Sequence, residues 1–137
     1  MKFAQGLGVD AVCVLVFAII GRNSHAEATD LLGVAITAWP FLAGVGLGHV
    51  VDGVRRRVAG VDPVRHGPAA LVTGVTVWVC TVAGGLLLRV LVAHGGAPLA
   101  FGIVATIALG VLLLGWRGGL AATRRARRTR RSNATTS

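Results

Sequence analysis

Apolar residues run through this chain in four long stretches, separated by three short polar ones and followed by an arginine-rich end. The first, about residues 3–21, begins softly with Gly6, Gly8 and Asp10 and is firmly apolar only from Ala11 to Ile20. The chain turns through Arg22-Asn23-Ser24-His25, continues to Asp30, and enters a second apolar stretch over residues 31–51. A polar segment, 52–68, carries Arg55, Arg56, Arg57, Arg65 and His66, with Pro63 and Pro68 as breakers. Further apolar stretches cover about 69–93 and 99–116, joined by His94-Gly95-Gly96-Ala97-Pro98. Such runs approach the ~20 residues an α-helix needs to cross ~30 Å of hydrocarbon. The polar helix faces that a soluble helical core requires are missing. The pattern predicts an all-α membrane protein, with four transmembrane helices in an up-down bundle over residues 1–117. The basic tail, 118–137, has too little apolar surface for a core. It is expected to be disordered, or ordered only as a helix at the lipid surface.

Within the second stretch Pro40 removes a backbone donor and is expected to kink the helix, with Thr37 placed to help satisfy a freed carbonyl. Gly44 and Gly48 form a GxxxG face, and Gly102, Thr106 and Gly110 repeat at the same spacing in the fourth stretch. Both faces suit close helix approach, and glycine faces of this kind are expected to remain for partners, so an oligomer is expected. Trp39 and Trp78 lie mid-span, where they pack on one another or on the glycine faces, or line a solute path. Trp116 reads as an interfacial anchor beside Arg117.

Composition sharpens this. The chain is 54% hydrophobic and 14% charged, with mean hydropathy +0.74, against about 25% charged residues in soluble domains. Asp10 inside the first stretch argues for a retained helix rather than a signal peptide. The net charge of +9 is concentrated in one loop and the tail. Lys2, the four arginines of 52–68 and the seven from Arg117 to Arg131 fall on one side, leaving Arg22 and Arg89 on the other. The positive-inside rule then places both termini and the 52–68 loop on the cytoplasmic side of the cell membrane. Anionic lipids are the expected partners of the arginine-rich loop and tail. Nucleic acid is not, because no aromatic interleaving or folded reader accompanies the arginines. Cys13 and Cys80 fall mid-span and read as small apolar residues.

Two groups of polar residues remain, one at each end of the bundle. Toward the outside lie Arg22, Asn23, Ser24, His25, Glu27, Asp30, Arg89 and His94. Arg89 is expected to tie the end of the third helix to the first loop through Glu27, Asp30 or a loop carbonyl, because an unpaired guanidinium in a low-dielectric setting is costly. Binding of an anion or small polar solute is the alternative there. A metal site from His25, Glu27 and His94 has no fixed spacing behind it, and no metal or cofactor is expected. Toward the inside lie Asp10, His49 and Asp52. Asp10 and His49 can pair if their helices are neighbours, either as a static contact or as part of a proton relay. Asp10 and Arg89 are ~18 Å apart in depth, too far to meet. No nucleophile–base arrangement, phosphate loop, CxxC or HExxH is present, so an enzyme is not expected.

Certain residues carry a resemblance. They are Asp10, Gly21-Arg22-Asn23-Ser24-His25, Trp39-Pro40-Phe41-Leu42, and Val77-Trp78 with Thr81. Gly85-Leu86-Leu87-Leu88-Arg89, Phe101 with Val104-Ala105, and Gly115-Trp116-Arg117 continue it. In these the chain resembles a family of small prokaryotic membrane proteins known as domain of unknown function 3054. The resemblance implies a four-helix membrane protein without assigned activity, in which Asp10, Arg22, His25, Pro40 and Arg89 belong to one design. Two functions follow as expectations. One is a small proton- or solute-linked transporter or channel using Asp10 and the outer polar cluster. The other is a non-transporting interaction or scaffold protein. An acid lining a wet cavity favours the first, and an acid sealed in a dry contact favours the second.

Overall fold

The computed structural model describes residues 3–24, 30–60, 70–92 and 98–135. They form α1 (Phe3–Ser24), α2 (Leu31–Ala59), α3 (Leu71–Leu91) and α4 (Leu99–Thr135). Each helix is long and apolar enough to cross a membrane. α1 packs on α2, α2 on α3, α3 on α4 and α4 back on α1, while the diagonal pairs do not meet. Four apolar helices in this cyclic order make an up-down bundle, and the chain is a multi-pass membrane protein.

Outward faces are apolar, with Ile20, Leu47, Leu87, Ile107 and Val111 all exposed. Water would penalise such a surface, but hydrocarbon does not. The inward faces interlock in layers. In the half of the bundle away from residue 3, Phe17, Phe41 and Phe101 form an aromatic cluster with ring centroids 5.5–6.4 Å apart. Val14, Val45, Val77, Leu109 and Leu113 fill the middle.

α2 and α3 make the closest approach, and glycine is the reason. A Cβ placed on Gly44 would lie 2.8 Å from the Thr81 Cα, and one on Gly48 would lie 2.7 Å from the Val77 Cα. The ring of Phe41 fills the space beside Gly85. The second small-residue face is also occupied. A Cβ on Gly110 would meet the Trp78 indole at 3.2 Å, and that indole donates its N–H to the Thr106 carbonyl at 3.0 Å. Both glycine faces are thus used for ordinary packing within the chain. Of the arrangements open to Trp78, it adopts packing on a glycine face, whereas Trp39 is 39% exposed on the bundle exterior.

α2 runs on about two turns past Val51. Asp52 is buried there with Arg55 and Arg56 on it from one turn along the same helix, and Gly60, at φ 60°, closes the end by donating to the Arg56 and Arg57 carbonyls. Pro40 is accommodated inside the same helix. α4 continues through the arginine-rich segment. Thr123 and Thr129 bond back to the Leu120 and Arg125 carbonyls, and every side chain from Ala122 to Ser132 is exposed.

Candidate functional site

Asp10 is the centre of the site. Its side chain is fully buried, although α1 offers it only apolar neighbours in sequence. Partners arrive from two other helices. Arg117 of α4 grips the carboxylate with both guanidinium nitrogens, Nη1 to Oδ1 at 2.8 Å and Nη2 to Oδ2 at 2.7 Å. Trp116 donates its indole N–H to Oδ1 at 3.0 Å. His49 of α2 places Nε2 2.8 Å from Oδ2. Each oxygen therefore receives a pair of donors, and no acceptor is left for a proton of its own. The residue is an acceptor-only carboxylate, and Nε2 of His49 must carry the hydrogen.

Helix direction explains why these groups converge. Side chains lean toward the N-terminus of their own helix. α1 and α4 are antiparallel, so Asp10 leans toward the end of the bundle that holds residue 3, and Arg117 leans back into the bundle to meet it. The Arg117 stem runs beside Gly74 of α3, where an added Cβ would lie 2.6 Å from its Cδ, and Nη1 also donates to the Leu113 carbonyl at 2.7 Å. Arg117, like Asp10, has no exposed surface. Its stacking on the adjacent Trp116 ring, at 4.3 Å, fixes the plane of the fork.

A second carboxylate lies at the same end. Asp52 of α2 is fully buried and accepts from Arg55 at 2.7 Å and from Thr73 of α3 at 3.0 Å, with the Arg56 Nε at 3.0 Å. Together Asp10 and Asp52 connect all four helices. Thr73 stands in the first turn of α3, the shortest helix among those described, which sets this layer near one boundary of the hydrocarbon rather than at its centre.

At the opposite end lie Arg22, Asp30 and Arg89. Arg22 reaches Asp30 at 3.5 Å, and Asp30 also caps α2 by accepting from the Gly33 N–H at 3.3 Å. Arg89 lies over the Phe101 ring, 4.6 Å from its centroid. Being near the C-terminal end of α3, its side chain leans into the bundle, onto the aromatic cluster, and Asp30 is engaged by Arg22. His25, Glu27 and His94 lie outside the described residues, while Asn23 and Ser24 end α1.

Sequence reading placed Asp10, His49 and Asp52 at one end and allowed the Asp10–His49 hydrogen bond, which is present. It missed Arg117 and Trp116, grouping the first with the tail and the second with interfacial anchors. That assignment is corrected, because both are ligands of Asp10. A signal did exist. A buried acid needs a cation at its own depth, and Arg117, at the boundary of the fourth apolar stretch, is separated from the next arginine by the apolar and small residues 118–123.

Comparison with curated proteins and with solved structures returned no match. Residues 7–120 match the family described as protein of unknown function (DUF3054), a stretch that contains Asp10, His49, Asp52, Thr73, Trp116 and Arg117 and ends before the arginine run beginning at Arg124. The chain, a four-helix membrane protein held at one end by two buried carboxylates, belongs to the DUF3054 family.

Proposed function

We propose that this protein is a non-transporting, non-enzymatic membrane protein that acts by engaging other membrane proteins or further copies of itself. The observation that carries this reading is the state of Asp10, which is fully buried with both oxygens saturated by donors from α2 and α4. A transport acid must exchange its partner for solute or proton. Replacing a bidentate arginine in a buried site is far costlier than displacing water from an open one. Asp10 acts here as a fixed tie between helices.

The face offered to a partner is the outer side of α4. Ile103, Ile107 and Val111 are 51–67% exposed along it, and Gly115 and Gly119 continue the row at GxxxG spacing with nothing within 4 Å. Small residues at that spacing let a second helix approach closely. The arginines of the 52–68 loop and tail hold the cytoplasmic side against anionic lipid, with both termini on that side.

The test is a flux measurement in proteoliposomes under imposed proton, salt and solute gradients, comparing wild type with Asp10→Asn. Flux equal to that of protein-free vesicles is expected from both. A flux that wild type supports and Asp10→Asn abolishes would overturn the reading. In cell membranes, photo-crosslinkers at Ile107 or Val111 should give discrete protein adducts that those at Leu87 do not.

A further inference from the structure

The outward face of α4 does not stop where its apolar stretch ends. Ile107, Val111, Gly115 and Gly119 follow one another at steps of four, and steps of three, four and three then lead to Ala122, Ala126 and Thr129. Steps of three and four keep residues on one side of a helix. Every member of this row is exposed, and Gly115 and Gly119 have nothing within 4 Å. Thr129 turns its hydroxyl back onto the Arg125 carbonyl at 3.2 Å, so it asks no hydrogen bond of a neighbour.

The arginines are arranged around this row. From Arg124 to Arg131 only Ala126 and Thr129 are not arginine, and both stand in the row. At about 100° per residue, Arg125 and Arg130 flank these two, one on each side and each about 70° away. Arg124, Arg127, Arg128 and Arg131 stand on the opposite half of the helix. No acid occurs anywhere in α4, so like charges one turn apart, as at Arg124 and Arg128, are offset by no carboxylate of their own helix. A tail that meets lipid through charge alone has no need of a charge-free row. A helix packing along α4 does need one.

We infer that this row seats a helix of another membrane protein, running beside α4 through the membrane and on past it. That helix carries small or apolar residues toward the row and Asp or Glu on its two flanks, where they meet Arg125 and Arg130. Ion pairs at flanking positions set partner choice between paired helices. A second copy of this chain is the wrong occupant. Two copies side by side in the same orientation would bring arginine against arginine along the row, and such like-charge contacts are penalised. The inference rests on the reading that the outer side of α4 is offered to a partner, and it names that partner's chemistry.

The experiment reconstitutes the full chain, carrying a donor dye, in vesicles of neutral phosphatidylcholine with acceptor-labelled single-span peptides. The peptides share one Ala/Leu span and differ only in the two flank positions of a helical extension, Glu in one and Lys in the other. Energy transfer should show the Glu peptide associating about tenfold more tightly than the Lys peptide. Arg125→Gln with Arg130→Gln should remove most of that preference. Arg124→Gln with Arg128→Gln, the same loss of charge at exposed positions on the opposite half, should leave it. Gly119→Leu, where the bundle itself leaves open space, should weaken both peptides. Equal association of the Glu and Lys peptides would overturn the inference. Equal loss from either arginine pair would also overturn it, since that is how a tail bound to lipid by charge alone behaves. The interaction role is judged separately, by photo-crosslinks from Ile107 in cell membranes. Discrete adducts there, without a preference for the acidic peptide, would refute the partner's chemistry alone, whereas absence of adducts would refute the role and this inference with it.

Discussion

Asp10 and Arg117 illustrate how a charge is kept inside a membrane protein. Each would be heavily penalised alone, yet the pair is bidentate, backed by Trp116 and His49, and placed near the hydrocarbon boundary. Removing one partner strands the other, so Arg117→Ala is expected to destabilise the bundle by about 3–5 kcal/mol. Arg117→Lys should restore only part of this, because an ammonium lacks the planar fork. Replacing both, as Asp10→Leu with Arg117→Met, should recover much of the single-mutant loss, since no buried charge then remains. Unfolding in detergent followed by tryptophan fluorescence distinguishes these cases. An Arg117→Ala protein as stable as wild type would mean that the cluster is not a clamp.

At the scale of the helix, stability rests on which glycines face a neighbour. Gly44 faces the α3 backbone at Thr81, where an added Cβ cannot fit, whereas Gly46 has nothing within 4 Å. Gly44→Val is therefore expected to cost about 1–3 kcal/mol through forced separation of α2 and α3. Gly46→Ala, on the same helix, should be neutral or stabilise by up to ~1 kcal/mol through helix propensity. Thermal unfolding of the two variants side by side checks this, and equal losses at both positions would refute the packing account. The same contrast explains a limit of sequence reading. Gly44, Gly46 and Gly48 are indistinguishable as letters, and only the rotation of α2 against α3 decides which are needed.

For the molecule as a whole, the two carboxylates gather at one end and the aromatic cluster, with Arg89 above Phe101, occupies the other half. The carboxylate end also carries most of the basic residues, and we propose it as the cytoplasmic end on the positive-inside rule. With Cys13 and Cys80 replaced by Ala, a cysteine introduced at Ser24 should react with a membrane-impermeant maleimide in intact cells, and one at Ser132 should not. Labelling of the Ser132 position would invert the assignment. The count behind it changes slightly with the structure in hand. Arg117 is buried against Asp10 and so leaves six arginines, not seven, in the exposed part of α4, a difference too small to reverse the bias.

The apolar stretches determined by themselves that four helices form and cross a membrane, because length and hydropathy are local quantities that need no partner. The alternation of helix direction followed from short connections, and it already sorted Asp10, His49 and Asp52 to one end and Arg22, Asp30 and Arg89 to the other. Which cation meets Asp10 was not legible in that way. Arg55, Arg56, Arg57 and Arg117 all lie at that end, and the choice depends on helix rotation, on the lean of each side chain and on the space left by Gly74. Arg89 makes the same point from the opposite end. The sequence pointed to acids as its neighbours and gave no sign of the Phe101 ring over which it lies. Depth along a helix is written in the chain, whereas azimuth around it is set only when the helices pack. Only the packed bundle decided that Asp10 would be buried with both oxygens saturated by donors from α2 and α4.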